Sequence, residues 1–145
     1  MMKKILVVSG PNINLLGIRD KTQYGEITYK ELLSLIQNEF KDISFEFFQS
    51  NHEGVLIDQF QDAISRKYTG VIINLGGYSH TSIALRDVIS LINTLKVEVH
   101  LSNIYERETF RQISVIKDVC DHQIVGLKEQ GYLEAVRWIL NESKE

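Results

Sequence analysis

The chain has 145 residues, 43% of them hydrophobic and 24% charged, with a net charge of −3 and a single cysteine. That length suits one domain over residues 1–145 with a core of ordinary size, and its scattered acids and bases exclude the basic footprint of a nucleic-acid binder. The lone Cys120 excludes an internal disulfide and fits a reducing compartment, the apolar run after "MMKK" is too short for a signal peptide, and no stretch approaches the ~20 apolar residues of a membrane span, so a cytoplasmic location is expected.

Short β-branched runs alternate with helical periodicity. Lys4 to Ser9 ("KILVVS") reads as a strand buried on both faces. "GPNINLLGIRDKTQYG", residues 10 to 25, follows as a glycine-punctuated loop, far longer than the usual connection of about 4–6 residues. Thr28 and Glu31 have the spacing of a capping box, and Tyr29, Leu32, Leu33, Ile36 and Phe40 continue it as a helix. "SFEFFQ", residues 44 to 49, is a second strand. Leu56, Ile57, Phe60, Ala63 and Ile64 mark a second helix. "GVIIN", Gly70 to Asn74, is a third strand, and Leu85, Val88, Ile89 and Ile92 mark a third helix. "KVEVHL", Lys96 to Leu101, is a fourth strand, "HQIVGL" a fifth, and "YLEAVRWILNE" a closing helix. There is no internal repeat or linker composition to divide the chain.

Strands alternating with helices predict an α/β, flavodoxin-like doubly wound fold: a five-stranded parallel sheet with helices on both faces. Ligands in such folds bind beyond the carboxyl ends of the strands. Those ends carry Asn12, Asn14, Arg19 and Tyr24; "QSNHEG"; Asn74 with "LGGYSHTS"; and "EVHLSN". Four polar exits point to a shared pocket or to a solvated rim.

The first loop lacks both nucleotide-cradling glycine signatures, since Ile18 stands where a phosphate-loop lysine would be. Ser9 stands where a phosphoacceptor aspartate would end the first strand. His52, His80, His100 and His122 lack close metal-ligand spacing, and Cys120 is expected to pack in the core. Glu98 and His100, two apart on a strand, leave the same face. Spacing alone admits a carboxylate orienting a catalytic imidazole or an incidental ion pair at a half-buried edge. Arg19 and Tyr24 are joined only by loop, so their geometry is not readable; a loop tyrosine is more often a packing residue than a base.

Taken together, "GPNINLLGIRDKTQYG", "QSNHEG", "NLGGYSHTSIALRD" and "EVHLSNIYERETFR" resemble the type II 3-dehydroquinate dehydratases over almost the whole chain. The resemblance implies dehydration of 3-dehydroquinate to 3-dehydroshikimate, in aromatic biosynthesis or quinate use, by a homo-oligomer, a dodecamer built from trimers. By position it implies Tyr24 as proton-abstracting base, Arg19 as its activator, His100 as general acid and Glu98 as the carboxylate behind it. Asn74 matches the residue that holds the intermediate. His80, Arg111, Leu101 and Ser102 match substrate-binding positions, and Asp87 a contact supplied from a neighbouring subunit. Leu75, Gly77, Ser79 and Tyr105 depart from the family's usual proline, alanine, threonine and histidine, and the glycine pair without its proline is expected to be more mobile.

The chemistry calls for these groups. Removing a proton alpha to a ketone and expelling a beta hydroxyl needs a base, a home for enolate charge and an acid. Ionising a free tyrosine at pH 7 costs about 4 kcal/mol, and an adjacent guanidinium offsets roughly 1–3 pKa units for an acidic group. The substrate's carboxylate would sit on N–H groups at Leu101–Ser102 or at the helix start near Thr81. No metal or organic cofactor is required. A Schiff-base route would need a lysine at a strand exit, whereas Lys3, Lys4 and Lys96 lie at the entrance ends. The rivals are a non-catalytic scaffold that kept the fold, and a small-ligand or nucleotide binder.

Overall fold

Five parallel strands pair in the order β2-β1-β3-β4-β5. The structure, a computed structural model, describes residues 2–144. The strands are β1 (Lys3–Ser9), β2 (Ile43–Gln49), β3 (Gly70–Asn74), β4 (Leu95–His100) and β5 (His122–Val125). This is the flavodoxin-like order expected from the alternating pattern, with the topological switch between β1 and β3. Burial follows position in the sheet. Every residue of central β3 is buried, whereas edge strand β2 is only half-buried along its length.

Period-two alternation sends neighbouring side chains of one strand to opposite faces. Ile5, Val7, Ile72, Val97 and Val99 pack under α2 (Tyr29–Glu39) and α5 (Gln130–Glu142). Leu6, Val8, Val71 and Ile73 pack under α3 (Glu53–Ile64) and α4 (Ile83–Ile89). Each fully buried side chain of this kind stabilises the fold by about 1.5–3 kcal/mol. The capping box forms as its spacing predicts: Thr28 Oγ1 accepts from Glu31 N at 3.1 Å, and the Glu31 carboxylate accepts from Thr28 N at 2.9 Å.

Two segments are more ordered than their sequences suggest. The first loop contains a 3-10 turn at Ile13–Leu15 and a one-turn helix, α1 (Lys21–Tyr24), capped by the Asp20 side chain on Thr22 N. Ile13 and Leu16 are buried and anchor its base, while Ile18 at its tip is 82% exposed. The stretch between β4 and β5 holds three 3-10 turns, Ile104–Glu106, Thr109–Arg111 and Lys117–Val119. Neither segment has apolar periodicity, because neither presents a continuous face to the core. Cys120 is half-buried rather than fully in the core, and burial pushes its thiol up to about 12, which makes it inert.

Gly10 joins the fold to the site. Its N–H donates to the Asn74 carbonyl at 2.7 Å, and a β-carbon there would lie 2.5 Å from the Leu75 carbonyl oxygen. The backbones leaving β1 and β3 touch only because the side chain is missing. Among the described residues no helix is long and apolar enough to cross a membrane.

Candidate active site

Three strand exits converge on one cleft. The loop after β1 brings Arg19 and Tyr24; β3 and its following turn bring Asn74, Gly76, Gly77 and His80; β4 brings His100, Leu101 and Ser102. Arg107 and Arg111, from the turns after β4, complete the wall. The β2 exit does not join them, so the expectation of four shared exits is corrected to three. Gln49 Nε2 donates to the Gly10 carbonyl at 3.1 Å, and Asn51 Oδ1 accepts from Asn12 N at 3.0 Å. Asn14 Oδ1 accepts from Gln49 at 3.4 Å. "QSNHEG", Asn12 and Asn14 therefore brace the base of the first loop, because β2 is an edge strand beside β1 and away from the switch point.

Tyr24 is held between two arginines. Arg107 Nη1 donates to the Tyr24 hydroxyl oxygen at 2.5 Å, and the Arg19 guanidinium lies 3.8 Å from the Tyr24 ring centroid. The arginine on the oxygen is thus Arg107, and Arg19 stacks on the ring face. Arg107 is also 3.3 Å from Ser102 Oγ. It is missing from the residues singled out by sequence, although it stands four before Arg111 in "EVHLSNIYERETFR"; two arginines at that spacing in a strand-exit segment were the available signal.

Of the two readings of Glu98 and His100, an incidental pair at a half-buried edge does not fit their position. β4 lies between β3 and β5, so this is no edge pair: Glu98 is 0% and His100 5% exposed. His100 Nε2 bonds Glu98 at 2.5 Å, and Ser114 Oγ and Gln123 Nε2 donate to the same carboxylate at 2.5 and 3.0 Å. Burial pushes the Glu98 pKa up, but His100, Ser114 and Gln123 together outweigh it, and the net direction is down. With Nε2 engaged, Nδ1 is the ring nitrogen left for the cleft. Tyr105, one of the departures, donates to Gln123 Oε1 at 2.6 Å and so braces the Glu98 partner from the surface.

His80 is oriented too, its Nδ1 lying 2.8 Å from the Ile113 carbonyl. Burial foremost, helped by His100 and Arg111, draws its pKa below the ordinary imidazole value against the pull of that carbonyl. Its neutral, hydrogen-bonding form is thereby favoured. Burial foremost, with Arg107 and Arg111 beside it, also lowers the Arg19 pKa, while Tyr24 raises it. Three arginines around one cleft in a chain of net charge −3 concentrate positive potential where an anion would bind.

Some candidates stand elsewhere. Thr81 donates to Tyr78 O, and Ser82 caps α4 through Leu85 N; the helix start is closed by its own residues and does not line the cleft. Asp87 lies on α4 beside Ile57, Ile64, Ala84 and Leu91, outside this cleft. Leu75, which precedes the Gly76–His80 turn, and Ser79 within it are fully buried; the turn is a 3-10 helix despite its glycine pair. No group of three or more potential metal ligands occurs among the described residues.

The family model for class II dehydroquinase matches residues 3–140. The chain belongs to the class II dehydroquinases. Among curated members of this dehydroquinase family, the 3-dehydroquinate dehydratase of Fusobacterium nucleatum is 48% identical over 94% of this chain and 96% of its own length. That of Lachnoclostridium phytofermentans is 50% identical over 95% and 97%. The crystal structure of type II dehydroquinase from Butyrivibrio crossotus superposes with a TM-score of 0.92 at 45% identity, covering 95% of this chain and 97% of that one. The Propionibacterium acnes type II dehydroquinase gives 0.93 at 32% identity, over 97% and 98%. The dehydroquinase fold is therefore shared over 95–97% of this chain.

Proposed function

We propose that this chain, a class II dehydroquinase and so a 3-dehydroquinate hydro-lyase, works by elimination through an enolate begun by Tyr24. The ionised Tyr24 oxygen takes the proton alpha to the ketone. The electron pair of that C–H bond moves into the enolate, whose oxygen charge is met by an Asn74 N–H without a competing base nearby. His100 then protonates the beta hydroxyl as the C–O bond breaks, the carbonyl re-forms, and water departs. Glu98 orients the imidazole and stabilises its charged form. Arg111, His80, Leu101 and Ser102 hold the anionic substrate.

One observation carries this reading: Arg107 Nη1 sits on the Tyr24 oxygen at 2.5 Å, in the same cleft as the His100–Glu98 pair. A scaffold has no use for a half-buried cation held on a phenol oxygen. Arg19 adds its charge to the ring face and, from a loop whose tip at Ile18 is exposed, can help to exclude water from the closed site. Among the described residues no lysine lines the cleft, and Lys96 Nζ donates to the Ile89 carbonyl at 3.1 Å at the opposite end of β4; both favour the enolate over a Schiff base. Purified protein mixed with 3-dehydroquinate, with no metal or cofactor added, is expected to develop the ultraviolet absorbance of a conjugated enone. A flat trace at stoichiometric enzyme refutes the reading.

The same proposal places Asp87 in the site of a neighbouring copy. Asp87 lies within an apolar strip formed by α3, α4 and Leu91 just beyond α4, on which Ile64 and Leu91 are 42 and 59% exposed. Patches of this kind mark association surfaces, and a trimer-based dodecamer would cover it. Sedimentation velocity is expected to show a particle several times the 16.7 kDa subunit, and Leu91→Glu to dissociate it. A fully active monomer would overturn the assignment of Asp87.

A further inference from the structure

We infer that Tyr132 is a positioning residue for the reaction: its buried hydroxyl sets the orientation of the Asn74 side-chain amide and so aims that amide's remaining N–H into the cleft. The inference rests on the dehydratase reading above and extends it to a residue that does not line the cleft. Tyr132 lies in the first turn of α5 and is 0% exposed among the aliphatic side chains between α5 and the sheet. A phenol in such surroundings needs a polar partner, whereas a phenylalanine would fill nearly the same volume with no such need.

The partner is Asn74. Its Nδ2 donates to the Tyr132 hydroxyl oxygen at 3.0 Å, and its Oδ1 accepts from Gly76 N at 3.2 Å. A backbone N–H can only donate, so the Gly76 bond decides which end of the amide carries oxygen, and Tyr132 receives the nitrogen. With both ends of the amide plane held, rotation of the side chain is blocked. One of its two N–H groups is engaged behind the cleft, and the other is left for charge developing within it. The Ser9 hydroxyl is buried beside Tyr29 and Tyr132 and bears on both phenols, while Asn74 Nδ2 is the group placed to donate to the Tyr132 hydroxyl oxygen. Burial raises the Tyr132 pKa, so the group stays a neutral phenol and does not compete with Tyr24 for the proton.

Pre-aimed donors matter more in the transition state than in ground-state binding. Tyr132→Phe is therefore expected to lower kcat by about tenfold while KM moves less than about threefold. In an Asn74→Ala background the same change is expected to cost less than about twofold, because the group it positions is gone. A kcat within twofold of wild type, or an equal penalty in both backgrounds, overturns the inference. An inactive wild type would refute the dehydratase reading instead. The positioning claim is then decided by the Asn74 side-chain amide in the wild-type protein, followed by NMR exchange, which also serves if Tyr132→Phe does not fold. One N–H should be protected from solvent and the other not; two equally fast N–H groups would overturn the claim.

Discussion

Tyr24→Phe is expected to reduce kcat by about 10²–10⁴-fold, the range for loss of a general base, with KM changed only a few-fold. The substitution keeps the ring under the Arg19 guanidinium, 3.8 Å from its centroid, and removes only the oxygen that Arg107 engages. The substrate contacts proposed for Arg111, His80 and Ser102 remain, so ground-state binding should survive. Steady-state kinetics by enone absorbance separate the two parameters, and equal losses in kcat and kcat/KM are expected because a base acts only in the transition state. Arg107→Met should fall by a comparable factor, since the phenolate would lose the cation on its oxygen, whereas Arg19→Met should cost less in kcat. If Tyr24→Phe instead raised KM and spared kcat, the residue would be a binding contact and the base would lie elsewhere.

Glu98→Ala is expected to be the most damaging single change to the fold around the site. Its carboxylate is wholly buried and accepts from His100, Ser114 and Gln123. Removing it strands three donors at once, and breaking a buried pair of this kind costs about 3–5 kcal/mol. Urea unfolding at pH 7 should show the loss as a lower midpoint, and activity should fall with it as the imidazole loses its orienting group. The pH dependence has a definite sign. The Glu98 pKa is lower in the folded chain than its ordinary value of 4.5. Its contribution to stability is therefore complete above that ordinary value and is lost as pH falls through the lower, folded one. The stability gap between wild type and Glu98→Gln should accordingly be constant from pH 7 down to about 5 and narrow below that. A gap that widened on acidification would show the carboxylate to be a destabilising buried charge.

The burial of Tyr132 and the bracing role of "QSNHEG" illustrate what a linear reading misses. "YLEAVRWILNE" shows a helix, and its tyrosine occupies an apolar position of that helix, so periodicity assigns it to the core. Only the packing of α5 across the sheet puts its hydroxyl against Asn74, 58 residues away. "QSNHEG" has the polarity of a site loop, but the edge position of β2 spends that polarity on the backbone of the first loop. Polarity is a local property, and the partner that satisfies it is not.

Arg107 makes the same point at the centre of the chemistry. A permanent cation in a loop is ordinarily a solvated side chain, and nothing in its spacing from Tyr24 names the contact. Three single turns after β4, none with a periodic face, carry Arg107, Arg111 and Ser114 to their places. The Glu98–His100 juxtaposition, by contrast, was legible because a strand has period two; burial then removed the half-buried edge from its readings.

The sequence by itself determined the alternation of strands and helices, the doubly wound class and the capping box, because all of these follow from short-range periodicity and turn chemistry. It also carried the family resemblance, which depends on motifs in order. The tertiary structure alone decided which cation meets the Tyr24 oxygen, that Glu98 is caged by three donors, that Asp87 faces away from its own cleft, and that Asn74 is clamped from behind. Those are contacts between segments distant in the chain, set by strand order and helix packing, and no local pattern of residues encodes them.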